Sequence, residues 1–150
     1  MNPYFNLQDA KHIKPIKGHA TLEGTRKYAS RNEIVDEFNF NTVHLKSHHA
    51  GTQSDDRLIL SKMVAGTSNG PSDAHEDLLQ YTSLKYAVLS GGVNHIDTGH
   101  QYRRHRSEHV VGQVLRTLTE KYGLSREEVF ITSKQGFVGY DSIDNIKEIL

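Results

Sequence analysis

The chain has 150 residues, with 18 Lys and Arg against 18 Asp and Glu, a formal net charge of zero, and neither Cys nor Trp. Such a balance gives no single-sign field to gather polyanions or anionic bilayers, so neither nucleic acid nor membrane is an expected partner. Without cysteine there is no disulfide framework and no thiolate metal site, and no run approaches the roughly 18 apolar residues of a membrane span. The opening "MNPYFNLQDAKHIKPIKGH" lacks the apolar core of a secretory signal. A reducing, cytoplasmic setting is expected, with mitochondrial import as the alternative left by the early lysines and sparse acids.

Apolar residues make up 35% of the chain, below the typical ~45–50%, and the shortage falls mostly before Arg57. There the hydrophobes in "KHIKPIKGHATLEGTRKYASRN" are scattered without helical period, and "KSHHAGTQSDD" is a polar run. Residues 1–57 are expected to form an irregular, partly disordered surface leader. The alternation in "EFNFNTVHL", with Phe38, Phe40 and Val43 on one side, predicts one edge hairpin within it.

From Leu58 to Leu150 the pattern is that of one α/β unit. "RLILSKMVAGT" gives one or two short apolar runs ending at Gly66 and Thr67. After the breakers "SNGP", Asp73 with Glu76 three residues on predicts a capping box. Leu78, Tyr81, Leu84 and Val88 then form one helical stripe, which Gly91 and Gly92 end with a left-handed cap. "VNHID" reads as a buried strand. Val111, Val114, Leu115, Leu118 and Tyr122 mark a second helix stopped by Gly123, and "EVFITSK" gives a third strand, Val129 to Ser133. A third helix is expected to open at Ser142 and reaches Leu150 within its apolar face, which implies either a partner that covers it or a portion of a longer protein. Strands alternating with helices in this way predict a parallel sheet built from βαβ crossovers.

In parallel α/β sheets ligands sit beyond the carboxyl ends of the strands. Gly66 with Thr67, Asp97 with Thr98, and Ser133 with Lys134 occupy those ends, and Tyr102 follows Asp97 in the next loop. An ammonium beside a phenol favours the phenolate, and a carboxylate holds that ammonium in place. Asp, Lys and Tyr together thus make a proton donor suited to a carbonyl oxygen as hydride reaches the carbon. Residue type and spacing leave a fold-stabilising Asp–Lys pair and a packing tyrosine open beside catalysis.

Three segments in order, "GGVNHIDTGHQYR", "SEHVVGQVL" and "EVFITSKQGFV", resemble the aldo-keto reductase family, and the likeness runs from about Leu58 to Asp144. The resemblance implies the N-terminal part of a (β/α)8 TIM barrel: three strands, two helices and the start of a third, after the irregular leader. It implies NADPH as cofactor and reduction of a small-molecule aldehyde or ketone through a tetrad of Asp, Tyr, Lys and His. Asp97 resembles the tetrad aspartate, Tyr102 the proton donor and Lys134 the lysine that lowers its pKa. Gly66, Thr67 and Asp97 resemble the residues that face the cofactor. The tetrad histidine belongs to a fourth strand that these residues do not include. Ser68 stands where the family often has a bulky residue, and Gly99 replaces the alanine of its "DTA", which is expected to loosen the turn. Other family contacts to NADPH come mostly from strands four to eight, so these 150 residues alone are expected neither to close a barrel nor to bind it tightly. A non-catalytic binding or regulatory protein on the same scaffold is the alternative. Neither the substrate nor the oligomeric state is legible.

His105 and His109 lie four apart, and His44, His48 and His49 cluster in "HLKSHH", but no third ligand of clear spacing accompanies the first pair, so no metal is expected. Arg103, Arg104 and Arg106 are expected to form a solvated loop rim and first helical turn. Phe137 and Tyr140 are expected either to line the mouth of the site or to pack on the next helix.

Overall fold

The computed structural model describes residues 16–31, 40–44 and 57–134. Phe38, His48, His49, Phe137, Tyr140 and the helix expected from Ser142 lie outside the described residues. In chain order the elements are α1 (Leu22–Arg31), β1 (Phe40–His44), β2 (Arg57–Ser61), β3 (Ala65–Gly66), α2 (Ala74–Leu89), β4 (His95–Asp97), α3 (Arg106–Tyr122) and β5 (Phe130–Thr132). A 3₁₀ turn, Arg126–Glu128, precedes β5.

The expected parallel sheet is present, in the order β3-β4-β5, with α2 and α3 as its crossovers. Gly66 stands beside Asp97 and Asp97 beside Thr132, so one row of residues ends all three strands together. The two helices pack on each other and on the sheet through a single core. Tyr81, Leu84 and Val88 of α2 meet Val110, Val111, Val114, Leu115 and Leu118 of α3, with Ile96 of β4 and Val129 below them. Burying each such aliphatic side chain stabilises the fold by about 1.5–3 kcal/mol. Tyr122, which continues the α3 stripe in sequence, is 47% exposed, so the buried face stops at Leu118.

The helix ends follow the sequence with two changes: of the capping box expected from Asp73 and Glu76 the Asp73 half is formed, and the left-handed cap of α2 falls on one glycine of the pair. Asp73 caps α2 by accepting from the Glu76 N–H at 2.9 Å, and α3 ends on the left-handed Gly123 (φ 67°). At the end of α2 the left-handed residue is Gly92 (φ 66°). Gly91 instead serves close approach, since a Cβ there would lie 2.8 Å from the Ala87 carbonyl oxygen.

Before Arg57 the structure overturns the expectation of a chain without helical period. Helix α1 forms over "LEGTRKYASR", and its buried residues are Gly24, Thr25, Tyr28 and Ala29. That face is helical in spacing but small and polar in composition, so it leaves no apolar stripe to read. Docking holds it in place. Thr21 N–H donates to the Glu127 carbonyl at 3.2 Å, and the Thr25 hydroxyl accepts from Ile59 N–H at 3.1 Å. The Tyr28 hydroxyl donates to the Val88 carbonyl at 2.5 Å. Lys27 and Arg31 reach the fully buried Glu128 carboxylate at 3.2 and 2.9 Å.

The hairpin expected around Phe40 and Val43 exists, but its second strand is the apolar run "RLILS". Strand β1 pairs antiparallel with β2, Phe40 opposite Ser61 and His44 opposite Arg57, and only Ala65–Gly66 joins the parallel sheet. Buried Asn94 ties the hairpin to the sheet, accepting from Ser61 N–H at 2.8 Å and donating to the Ile59 carbonyl at 2.9 Å. Ile59, Val88 and Glu127 lie ahead of β3, β4 and β5 respectively, each on the amino side of its strand. Helix α1 therefore occupies the amino end of the sheet and leaves the carboxyl end clear. Among the described residues no helix is long and apolar enough to cross a membrane.

Candidate active site

The strand register does most of the assembly. Beyond the last paired residues, Thr98 N–H donates to the Thr132 carbonyl at 2.8 Å and His100 N–H to the Lys134 carbonyl at 2.9 Å. This continuation of the ladder carries Lys134 alongside Asp97. The Lys134 ammonium donates to both Asp97 oxygens, at 2.5 and 2.6 Å, and to the Thr98 carbonyl at 3.2 Å. The two side chains are 42% and 29% exposed, so water screens the pair and it places charge more than it stabilises the fold. Hydrogen bonding to Asp97 raises the Lys134 pKa against the opposing effect of desolvation, with Tyr102 adding to the rise. The amine is a fixed cation throughout the neutral range.

Tyr102 arrives from the loop. Its N–H donates to the Gly99 carbonyl at 3.0 Å, closing a turn, and its half-buried ring lies 5.1 Å from the Lys134 ammonium. The site expected from Asp97, Tyr102 and Lys134 is thus brought together. Gly99 does not leave the turn loose. It is buried, and a Cβ there would stand 3.3 Å from two Tyr102 ring carbons, so the ring fills the place of the missing methyl.

Gly66 and Thr67 separate in role. Gly66 is exposed, and nothing lies within 4 Å of where its Cβ would be. A cleft of about 180 Å³ opens beside it, lined also by Glu76, Leu79, Gln80 and Leu84. Thr67 is fully buried. Its hydroxyl engages the Asp97 carbonyl at 3.1 Å and the Thr98 hydroxyl at 3.0 Å, while its carbonyl accepts from the Ser107 hydroxyl at 2.7 Å. Thr67 ties β3 and the start of α3 to the residue that holds Lys134.

The arginines depart furthest from the sequence reading. Arg104 is exposed as expected, but the Arg103 side chain is 1% exposed and Arg106 turns inward to the same partner, Asp77 of α2. Arg103 donates to Asp77 at 2.9 Å, the Pro71 carbonyl at 2.9 Å, the Gln80 side chain at 3.1 Å and the Asp73 carbonyl at 3.3 Å. Arg106 binds Asp77 through both Nε and Nη2, and that hydrogen bonding raises its pKa. A buried charge keeps its ionised form when it is paired and hydrogen-bonded in this way. The cost of the arrangement appears in the backbone: Arg103, Arg104 and His105 have φ of 49°, 55° and 70°.

Around the site, Ser133 and His105 are singled out by sequence, whereas Glu108, His100 and His95 are not. Glu108 accepts from the Ser133 hydroxyl at 2.6 Å and faces His100 Nδ1 at 3.4 Å, and the His100 and His105 ring centroids are 4.0 Å apart. His95, two residues before Asp97 on β4, meets the Thr132 hydroxyl at 2.8 Å and the edge of Phe130, and burial lowers its pKa. The sequence signal for His95 is the strand alternation that sets it on the same side as Asp97. Among the described residues no group of three or more His, Asp and Glu side chains is placed to hold a metal ion.

The model of the Aldo/keto reductase family matches residues 62–149, which include every one of these site residues. No solved structure matches the chain.

Proposed function

The chain belongs to the aldo/keto reductase family, a family of oxidoreductases, and from that premise we propose that Asp97, Tyr102 and Lys134 carry out NADPH-dependent reduction of an aldehyde or ketone. The observation that supports it is the Lys134 ammonium, held by both oxygens of Asp97 and set against the ring of Tyr102. On this reading β3, β4 and β5 are the first three strands of a (β/α)8 TIM barrel, and the site lies at its carboxyl end.

When bound, NADPH supplies the hydride to the carbonyl carbon. Gly66 fits a role beside the cofactor, because the absence of a Cβ leaves its exposed face open to a flat group. Thr67 and Asp97 form the wall behind it, held to each other by the Thr67 hydroxyl. Tyr102 gives its phenolic proton to the carbonyl oxygen. Lys134 stabilises the negative charge left on the phenol oxygen, and Asp97 keeps Lys134 in place without taking up a proton itself. The partner is a small carbonyl compound, and the setting proposed is the cytoplasm.

The test is NADPH oxidation in the presence of an aldehyde, measured on a chain that carries all eight strands. Tyr102→Phe is expected to lower kcat by about 10²–10⁴-fold, the usual worth of a positioned proton donor, with cofactor affinity nearly unchanged. Lys134→Met is expected to follow it. Near-normal turnover in Tyr102→Phe would overturn the mechanism, and cofactor binding without turnover in the parent would favour a non-catalytic role.

A further inference from the structure

Tyr102 is followed by a segment that its own residues resist. Three consecutive residues with side chains, Arg103, Arg104 and His105, take left-handed φ values, a region that residues other than glycine seldom adopt even singly. Local support is slight: Arg106 N–H donates to the Arg103 carbonyl at 3.3 Å, and His105, the N-cap of α3, makes no side-chain capping bond. Such a backbone persists only where surrounding contacts over-determine it.

Those contacts come through two side chains, and mostly through Arg103. The Arg103 guanidinium is spread over four acceptors, all in α2 or the loop just before it: Pro71, Asp73, Asp77 and Gln80. Arg106, on the far side of the strained run, grips the same Asp77 carboxylate. The left-handed turn is therefore pinned at both ends to one fully buried acid. Tyr102 lies immediately before the first pin, with its other side fixed by the Gly99 turn.

We propose that Arg103, anchored on Asp77 together with Arg106, is a positioning residue that holds the left-handed turn and so sets the Tyr102 ring against Lys134. Arginine is required because the acceptors surround a planar fork. A lysine in its place carries the charge but reaches one or two of them at most. The proposal rests on the carbonyl-reduction reading only for its significance to catalysis, since the placement of Tyr102 is measurable without turnover.

The experiment is proton NMR on this 150-residue chain, following the cross-relaxation between the Tyr102 ring and the Lys134 side chain, with Tyr102→Phe to assign the ring. In Arg103→Lys this contact is expected to weaken at least twofold, while contacts between β4 and β5 persist. Glu128→Gln, which disturbs the buried carboxylate beneath α1, is the control for general destabilisation and is expected to leave the contact intact. Arg104→Gly, added to Arg103→Lys, is expected to restore it, because glycine at an exposed left-handed position favours the turn without the clamp. An undiminished contact in Arg103→Lys would overturn the proposal. So would equal weakening in Glu128→Gln, or failure of Arg104→Gly to restore the contact. A failure of the reductase reading would show instead as lack of turnover with the Tyr102 contact in place.

Discussion

Asn94 and Ser61 each use a side chain to satisfy the other's backbone. Ser61 N–H donates to Asn94 Oδ1 at 2.8 Å, and Asn94 N–H donates to Ser61 Oγ at 3.1 Å. The exchange imitates a strand pair between the end of the hairpin and the start of β4, where no regular ladder runs. Asn94→Ala strands the buried Ser61 N–H, and an unsatisfied buried donor costs about 1–3 kcal/mol. Urea unfolding of the variant is expected to show an unfolding free energy lowered by that amount, seen as a lower midpoint with an unchanged slope. A midpoint equal to that of the parent would mean that water replaces the amide.

Gly24→Ala sets two effects of opposite sign against each other. Alanine favours a helix interior over glycine by about 1 kcal/mol, so α1 considered alone predicts a gain. The added Cβ would stand 2.4 Å from the Glu127 carbonyl oxygen, a backbone atom that cannot swing aside. Overpacking of this kind costs typically about 1–3 kcal/mol, and the net outcome expected is a loss. Amide exchange should quicken in Thr25 to Ala29, and unchanged protection there would contradict the tight docking of α1.

Asp77→Asn leaves the buried Arg103 and the partly exposed Arg106 without their carboxylate. Breaking a buried ion pair by removing one partner costs about 3–5 kcal/mol, well above the effect of removing a surface pair. Chemical denaturation is the measurement, and a loss under about 1 kcal/mol would show that the cluster behaves as a surface pair. Glu120→Gln, at the exposed end of the Arg116 pair, provides the comparison.

Histidine 95 gives stability an acid limb. Its folded pKa is lowered from the ordinary histidine value of about 6.5, first through burial and with Asp97 opposing. The unfolded chain therefore binds the proton more readily than the folded one. The contribution is fully present above the unfolded pKa and is lost as pH falls through the folded value. Tm is expected to fall below about pH 6.5, and less steeply in His95→Phe. An identical acid limb in the two proteins would assign it to other groups.

Gly99→Ala tests the contact between the turn and the ring. Alanine restricts the unfolded chain and would add about 0.4–1 kcal/mol if nothing stood in its way. At 3.3 Å from two ring carbons of Tyr102, however, the methyl requires the ring to move by a few tenths of an ångström. Stability is expected to stay within about 1 kcal/mol of the parent, while the Tyr102 ring signals shift. Unshifted signals would mean that the turn has slack.

What the sequence reveals here depends on whether a residue's partner lies along its own element or across the fold. Asp97 and Lys134 are legible because alternation places each strand end, and the ends of neighbouring parallel strands must be close. The stripe of Leu84, Val88, Val114 and Leu118 is legible for the same reason, because each residue repeats on one helix. Arg103 is not. It lies in a loop and its partner Asp77 on α2, 26 positions earlier, and in a string of residues a buried guanidinium looks the same as a solvated one. Helix α1 is missed because its inward face is Gly24, Thr25, Tyr28 and Ala29, residues chosen for fit and hydrogen bonding and carrying little hydrophobic signal. Strand β3, two residues long, is fixed by its neighbour β4 more than by its own propensity.

The docking of α1 divides the protein into a grip and a mouth. Exposed Lys17 lies just ahead of a helix fastened to Ile59, Val88 and Glu127, whereas anything arriving at Gly66 or Asp97 approaches from the opposite end of the strands. A dye or surface tether attached at Lys17 can thus follow or hold the molecule by its base while the reacting end stays free. The polar leader is the natural handle of this protein.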